Sequence, residues 1–286
     1  MALVLWGLGL NMDEFRVQDA EVGMGNMGRF KRGLGCGVAL LLLLRAGLLS
    51  AETIHVAVAS NFTQTMRELV QAFSADSEHE VRLSFGASGT FHAQISNGAP
   101  FALLFSADRA VPERLEQEGR IVPGSRFTYA RGRLVLWSAD PQLVEEGGAI
   151  LARGGFRRLA LANPALAPYG RAAVQVLAVL DPGGALREHL GQGENVGQTF
   201  QFVSTANAEL GFVALSQVRQ PGSDGWRAGS AWLIPETLHD PIEQDVVWLK
   251  QAENSKAVPA LLDFIRSPEG RAIIVAHGYE PGFDDQ

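Results

Sequence analysis

From Glu52 onward, short apolar runs rich in Val, Leu and Phe alternate with stretches whose apolar positions recur at helical spacing. That alternation predicts βα units and a doubly wound α/β sheet. Ile54 to Ala59 reads as the first strand. Ser60 to Phe62 turns into a helix whose apolar positions Met66, Leu69, Val70 and Phe73 follow the 3.6-residue period. Val81 to Phe85 is a second strand, Gly86 to Gly89 a turn, and Thr90 to Ser96 a helix start. Phe101 to Phe105 is a third strand, followed by Ser106-Ala107-Asp108 and a helix from Val111 to Gln117. Three small-residue loops therefore fall at the carboxyl ends of neighbouring parallel strands, where open α/β sheets bind ligands.

The pattern restarts after Tyr129. Arg133 to Trp137, Leu159 to Ala162 and Gly211 to Leu215 read as strands, with helices over Ala172 to Leu180 and Val196 to Val203. Gly222 to Gly229 is a polar loop. A late strand, Asp245 to Leu249, and two closing helices, Val258 to Ile265 and Pro268 to Ala276, return after this second unit. The order predicts two lobes, a discontinuous first one over 52–130 plus 240–286 and a second over 131–239. Two crossings between lobes form a cleft.

The first 51 residues have a different character. Arg29, Lys31 and Arg32 precede an apolar run from Gly33 to Leu44, and the small residues Ser50 and Ala51 close it, which is the layout of a secretory signal peptide. The run is shorter than the ~20 apolar residues of a spanning helix, and Arg45 interrupts it, so a membrane anchor is the weaker reading. The upstream residues do not fit a short signal-peptide n-region, which points to translation starting at Met24 or Met27. Periplasmic export follows from this reading.

Composition narrows the function. The 286 residues are 47% apolar and 19% charged, with a formal net charge of -7, which leaves no overall basic surface for nucleic acid or anionic membrane. Loss of residues 1–51 removes five basic and four acidic residues, leaving 19 against 27, a net -8. It also removes Cys36, the single cysteine, so cysteine nucleophiles, zinc-cysteine sites and iron-sulfur clusters are excluded from the mature chain. The six histidines do not pair at metal-ligand spacing, and G-x-S-x-G, G-x-x-x-x-G-K-[ST] and G-x-G-x-x-G motifs are absent. No enzyme, cofactor or resident metal is expected.

What remains is a set of neutral donors at the loops: Ser60, Asn61, Ser88, Gly89 and Thr90 in the first lobe, and Asn163, Tyr169, Gly170, Asn195 and Val196 in the second. Where such residues open a helix, free amides and the positive helix end make an anion site. Ser and Asn are also ordinary N-caps, so the alternative is that each only caps its helix.

Several stretches carry a family resemblance: ASNFT (Ala59 to Thr63), GASGTFHAQISNGAPF (Gly86 to Phe101) with FSAD (Phe105 to Asp108), GSRFTYARGRLVLWS (Gly124 to Ser138), ANPALAPYGRAA (Ala162 to Ala173), ENVGQTFQFV (Glu194 to Val203), ELGFVALSQV (Glu209 to Val218) and FIRSPEGRAII (Phe264 to Ile274). Together they resemble the periplasmic molybdate-binding proteins of ABC importers over nearly the whole mature length. The resemblance implies a type II periplasmic binding protein fold, each lobe a mixed sheet flanked by helices, with the ligand cleft between lobes. It implies a monomeric receptor that binds molybdate or tungstate and delivers it to a membrane permease. Carried over by position, the ligands are Ser60, Asn61, Ser88, Tyr169 and Val196 through its backbone amide. Some family members place a tyrosine where this chain has Ala214; Tyr169 from the APYG loop resembles the alternative subgroup. A receptor of the same fold for another oxyanion, such as sulfate or phosphate, and an α/β hydrolase are the competing readings.

Overall fold

The computed structural model describes residues 51–282. The signal-peptide reading and the start at Met24 or Met27 therefore lie outside the described residues, apart from Ala51.

The first sheet has six strands in the order β11-β4-β10-β3-β1-β2: β1 (Thr53–Ala59), β2 (Glu80–Gly86), β3 (Leu103–Phe105), β4 (Phe127–Gly132), β10 (Ile242–Trp248) and β11 (Glu280–Pro281). β1 pairs in parallel with both β2 and β3. β10 is antiparallel to β3 and β4, so the returning chain closes one edge of the parallel unit. Alternation along β1 drives its burial: Ile54, Val56 and Val58 face α1 (Thr63–Asp76) through Met66, Leu69 and Phe73, and α8 (Ala257–Arg266) through Val258, Leu261 and Ile265. Ala57 and Leu104 face the opposite layer, where Phe91 and Ile95 of α2 (Ser88–Ser96) pack with Leu115 of α3 (Ala110–Gln117). Each fully buried Val, Leu or Phe contributes about 1.5–3 kcal/mol relative to exposure.

The second sheet has five strands in the order β7-β6-β8-β5-β9: β5 (Leu134–Ser138), β6 (Leu159–Ala162), β7 (Leu190–Gly193), β8 (Leu210–Ala214) and β9 (Ser230–Leu233). β6 runs parallel to β7 and β8, while β5 is antiparallel to β8 and β9. One face packs Leu134, Leu136, Leu161 and Phe212 against Ala173, Val176 and Leu177 of α5 (Pro168–Leu180), with α4 (Ile150–Arg153) alongside. The other packs Val135, Ala160 and Val213 against Val203 of α6 (Val196–Ser204) and Leu215 of α7 (Leu215–Val218). α9 (Pro268–Ala276) follows α8 and closes on α1.

The chain leaves the first sheet at Gly132 and enters the second at Leu134, then leaves at Leu233 and re-enters the first at Ile242. Each sheet is mixed and flanked by helices, as expected. Differences are local. α2 begins at Ser88 instead of Thr90, β4 continues two residues past the expected boundary at 130, and β4, β7, β9 and β11 were not among the predicted strands. Among the described residues no helix is long and apolar enough to cross a membrane.

Candidate functional site

Four helical N-termini meet between the sheets. Ser60 opens the 3-10 turn Ser60–Phe62 that leads into α1, Ser88 opens α2, Pro168 opens α5 and Val196 opens α6. Each of these four first turns lacks an acidic residue, so their positive ends are left uncompensated. Three lie directly after the carboxyl ends of β1, β2 and β7, and α5 follows β6, the topological position at which α/β sheets place ligands.

Local sequence explains the fit. Pro168 at the first position of α5 has its φ preset for a helix and lacks an amide hydrogen that would go unpaired there. At Gly170 a Cβ would stand 2.2 Å from the Ala162 carbonyl oxygen, so only glycine lets α5 begin this close to the end of β6.

The structure brings all five expected residues to one void. Ser60, Asn61, Ser88, Tyr169 and Val196 all line it, and all are buried. The void is narrow, about 10 Å³, and none of its lining side chains is charged. Two of the expected donors are already engaged as acceptors: Ser88 Oγ accepts the Ala107 amide at 2.9 Å, and Ser60 Oγ accepts the Gly197 amide at 3.1 Å. A hydroxyl that accepts in this way keeps its own hydrogen free to donate. Asn195 is the side-chain cap of α6, its Oδ1 accepting from Gln198 N at 3.0 Å. With Gln198 and Gly197 so engaged, the Val196 amide is the first-turn donor of α6 left for the void. Ser60 and Ser88 lie inside the first turns of their helices, and neither caps through its side chain.

Asn61 holds a different position from a simple ligand. Its Nδ2 donates to Gln244 Oε1 at 2.8 Å and to Tyr279 Oη at 3.0 Å, and its carbonyl accepts from Ser216 Oγ and Tyr279 Oη, each at 2.9 Å. Its Oδ1 is buried without a partner. The residues behind the void, Gln244, Tyr129, Tyr279 and Ser216, escaped sequence reasoning. Gln244 lies between Glu243 and Asp245, and Tyr129 between Thr128 and Ala130, so neither stands out from its neighbours in the sequence.

Tyr169 is fully buried, and burial pushes its hydroxyl well above the ordinary tyrosine value, with a further upward push from Tyr279. It is a neutral donor throughout the physiological range. Across the cleft, Gly89 N donates to the Leu166 carbonyl at 3.0 Å, and Arg171 of α5 pairs with Asp108 at the mouth of α3. Asp108 also accepts from Val111 N at 3.1 Å, so it serves as a cap as well as an ion-pair partner.

The histidines take no part in this void. His92 pairs with Glu118 at 3.0 Å and His277 with Glu68 at 2.8 Å, both away from it. Among the described residues no three His, Cys, Asp or Glu side chains gather to hold a metal ion.

Two mixed α/β sheets joined by two crossovers, with helix N-termini from both aimed at one uncharged void, define a two-lobed solute-binding protein. The chain belongs to the family described as bacterial extracellular solute-binding protein, whose model matches residues 54–280. It is 48% identical to the molybdate-binding protein ModA of Azotobacter vinelandii over 244 residues, 84% of this chain and 96% of that protein. It is 42% identical to the molybdate-binding protein ModA of Rhodobacter capsulatus over 255 residues, 88% of this chain and 99% of that protein. The solved periplasmic molybdate-binding protein of A. vinelandii superposes with a TM-score of 0.75 at 41% identity, covering 79% of this chain and 98% of its own.

Proposed function

We propose that this protein is a periplasmic receptor that binds molybdate, and tungstate as well, and delivers it as a monomer to the membrane permease of an ABC importer without catalysing a reaction. The observation that carries this reading is the convergence of Ser60, Ser88, Tyr169 and the Val196 amide on one void free of charged side chains. A dianion taken from water loses its hydration and must recover it from donors already in place. Hydroxyls, amides and four helix N-termini do this without a counter-charge that would hold the ion too long for delivery. The 48% identity to a protein named for molybdate binding supports the choice of ion.

We further assign 52–130 plus 240–286 to one lobe and 131–239 to the other. The five expected residues that line the void are all buried. Uptake therefore requires the lobes to part at the crossovers. Ser60, Ser88, Tyr169 and Val196 then donate to the oxyanion oxygens, and Asn61, whose side-chain hydrogens point into the protein, joins from the first loop through its backbone amide.

A thermal-shift panel of molybdate, tungstate, sulfate and phosphate tests the assignment. Ligand at 100 times its dissociation constant stabilises the folded state by about 2.7 kcal/mol. Molybdate and tungstate are expected to raise the melting temperature and sulfate and phosphate to leave it unchanged; a shift with sulfate or phosphate alone would reassign the cargo.

A further inference from the structure

The Tyr169 hydroxyl is held from behind by the side-chain amide of Gln244. Gln244 is completely buried on β10, next to a break in register with β4 that leaves Tyr129 without an opposite residue. Its Oε1 accepts from Asn61 Nδ2 at 2.8 Å and lies 3.0 Å from Tyr129 Oη. Tyr129 Oη has one hydrogen and also lies 3.0 Å from the Ser106 carbonyl, so the bond from Asn61 is what turns the Nε2 end the other way. There it donates to Tyr169 Oη at 3.3 Å. The space is tailored to this pair: a Cβ at Gly132 would stand 2.1 Å from Tyr169 Oη and 2.4 Å from Gln244 Nε2.

A phenol that accepts a hydrogen bond from behind cannot also spend its hydrogen in that direction. We infer that Gln244 is a positioning residue for the oxyanion site: by donating to Tyr169 Oη it commits the tyrosine hydrogen to the void, and so sets the polarity of a ligand it never touches. The inference rests on the oxyanion reading above. Gln244 lies in the first sheet and Tyr169 on a helix of the second, so this bond also reports that the two lobes have come together. Asn61 orients Gln244, and Tyr129 and Tyr279, the latter with its Oη 2.9 Å from Ser216 Oγ, complete the polar layer beneath it.

A double-mutant cycle read by calorimetry with sodium molybdate tests this on the mature chain. Gln244→Glu keeps the shape and the acceptor oxygen but removes the donated hydrogen, and Gln244→Met removes both; thermal unfolding without ligand establishes which variants fold. In the Tyr169 background, either folded variant is expected to weaken molybdate binding about tenfold or more. In a Tyr169→Phe background, where there is no hydroxyl to orient, Gln244→Met is expected to change affinity less than about twofold. Equal losses in the two backgrounds, or no loss in either, would overturn the positioning role. A wild-type chain that binds sulfate or phosphate and not molybdate would overturn the oxyanion assignment instead, and a wild type that binds none of these ions would overturn both.

Discussion

The Ser60 hydroxyl accepts the Gly197 amide at 3.1 Å, so the first turn after β1 and the first turn of α6 are tied directly to each other across the cleft. A Cβ at Gly197 would lie 3.1 Å from Ser60 Cβ, which shows how closely the two helix ends approach. This contact and the bond from Gly89 N to Leu166 O at 3.0 Å are both made between backbone or near-backbone groups. The cleft is thus closed by the elements that line it, and ligand binding and closure are expected to be linked.

Ser88→Ala and Tyr169→Phe each remove one uncharged donor from the lining. Each is expected to weaken molybdate binding by about 1–3 kcal/mol, the cost of leaving a charged group short of one partner. Calorimetry on the two variants measures this directly; unchanged affinity in both would remove those residues from the site.

Gly89 is expected to be intolerant of a side chain for reasons of closure. A Cβ there would stand 3.1 Å from the Leu166 backbone in the opposite lobe. Gly89→Val is therefore expected to lower molybdate affinity at least tenfold, about 1.4 kcal/mol, while leaving the melting temperature without ligand nearly unchanged. An equal fall in both quantities would place the effect in folding and not in closure.

Arg171→Ala breaks the ion pair with Asp108 across the cleft mouth. The arginine is 44% exposed, so the pair is screened by solvent and its loss is expected to cost no more than about 1 kcal/mol of binding. The loss should shrink further in high salt, because screening weakens exposed pairs. A salt-independent loss measured by calorimetry would contradict this.

The pH dependence separates site from scaffold. Burial holds the Tyr169 hydroxyl protonated well past its ordinary value of 10.0, and no charged side chain lines the void. Affinity is therefore expected to stay level between about pH 6 and pH 9. Stability behaves differently. The hydrogen bond from Arg109, joined by the charge of Arg131, holds Glu243 below its ordinary 4.5 in the folded protein. Its stabilising contribution is present above 4.5 and is lost as pH falls through the lower folded value. Glu243→Gln should flatten the acid limb of the thermal stability curve, and an unaltered limb would remove this pair from the acid response.

The parallel βα units were legible because each strand is a continuous apolar run followed by small residues and a 3.6-residue period, as in β1 with α1. β7 was not, since Leu-Gly-Gln-Gly carries two glycines and stays half exposed, with no run or alternation to detect. β4 was hidden by its polar composition and its break in register against β10. At the site, Ser60, Ser88, Tyr169 and Val196 were legible as neutral residues in loops near helix starts, and the family resemblance is what picked them out of ten such residues. Gln244 and Tyr279 were not, because they meet Asn61 from 183 and 218 residues away. A partnership between isolated polar groups leaves no local signature. The same network explains why Asn61, recognisable as a loop residue, has both side-chain hydrogens directed into the protein.

The most direct test of the central claim is anomalous diffraction at the molybdenum edge from crystals grown with molybdate. One strong peak is expected in the void bounded by Ser60, Asn61, Ser88, Tyr169 and Val196, with the oxygens facing hydroxyls and amides from both lobes. A peak on a basic surface patch, or none in that void, would contradict the account.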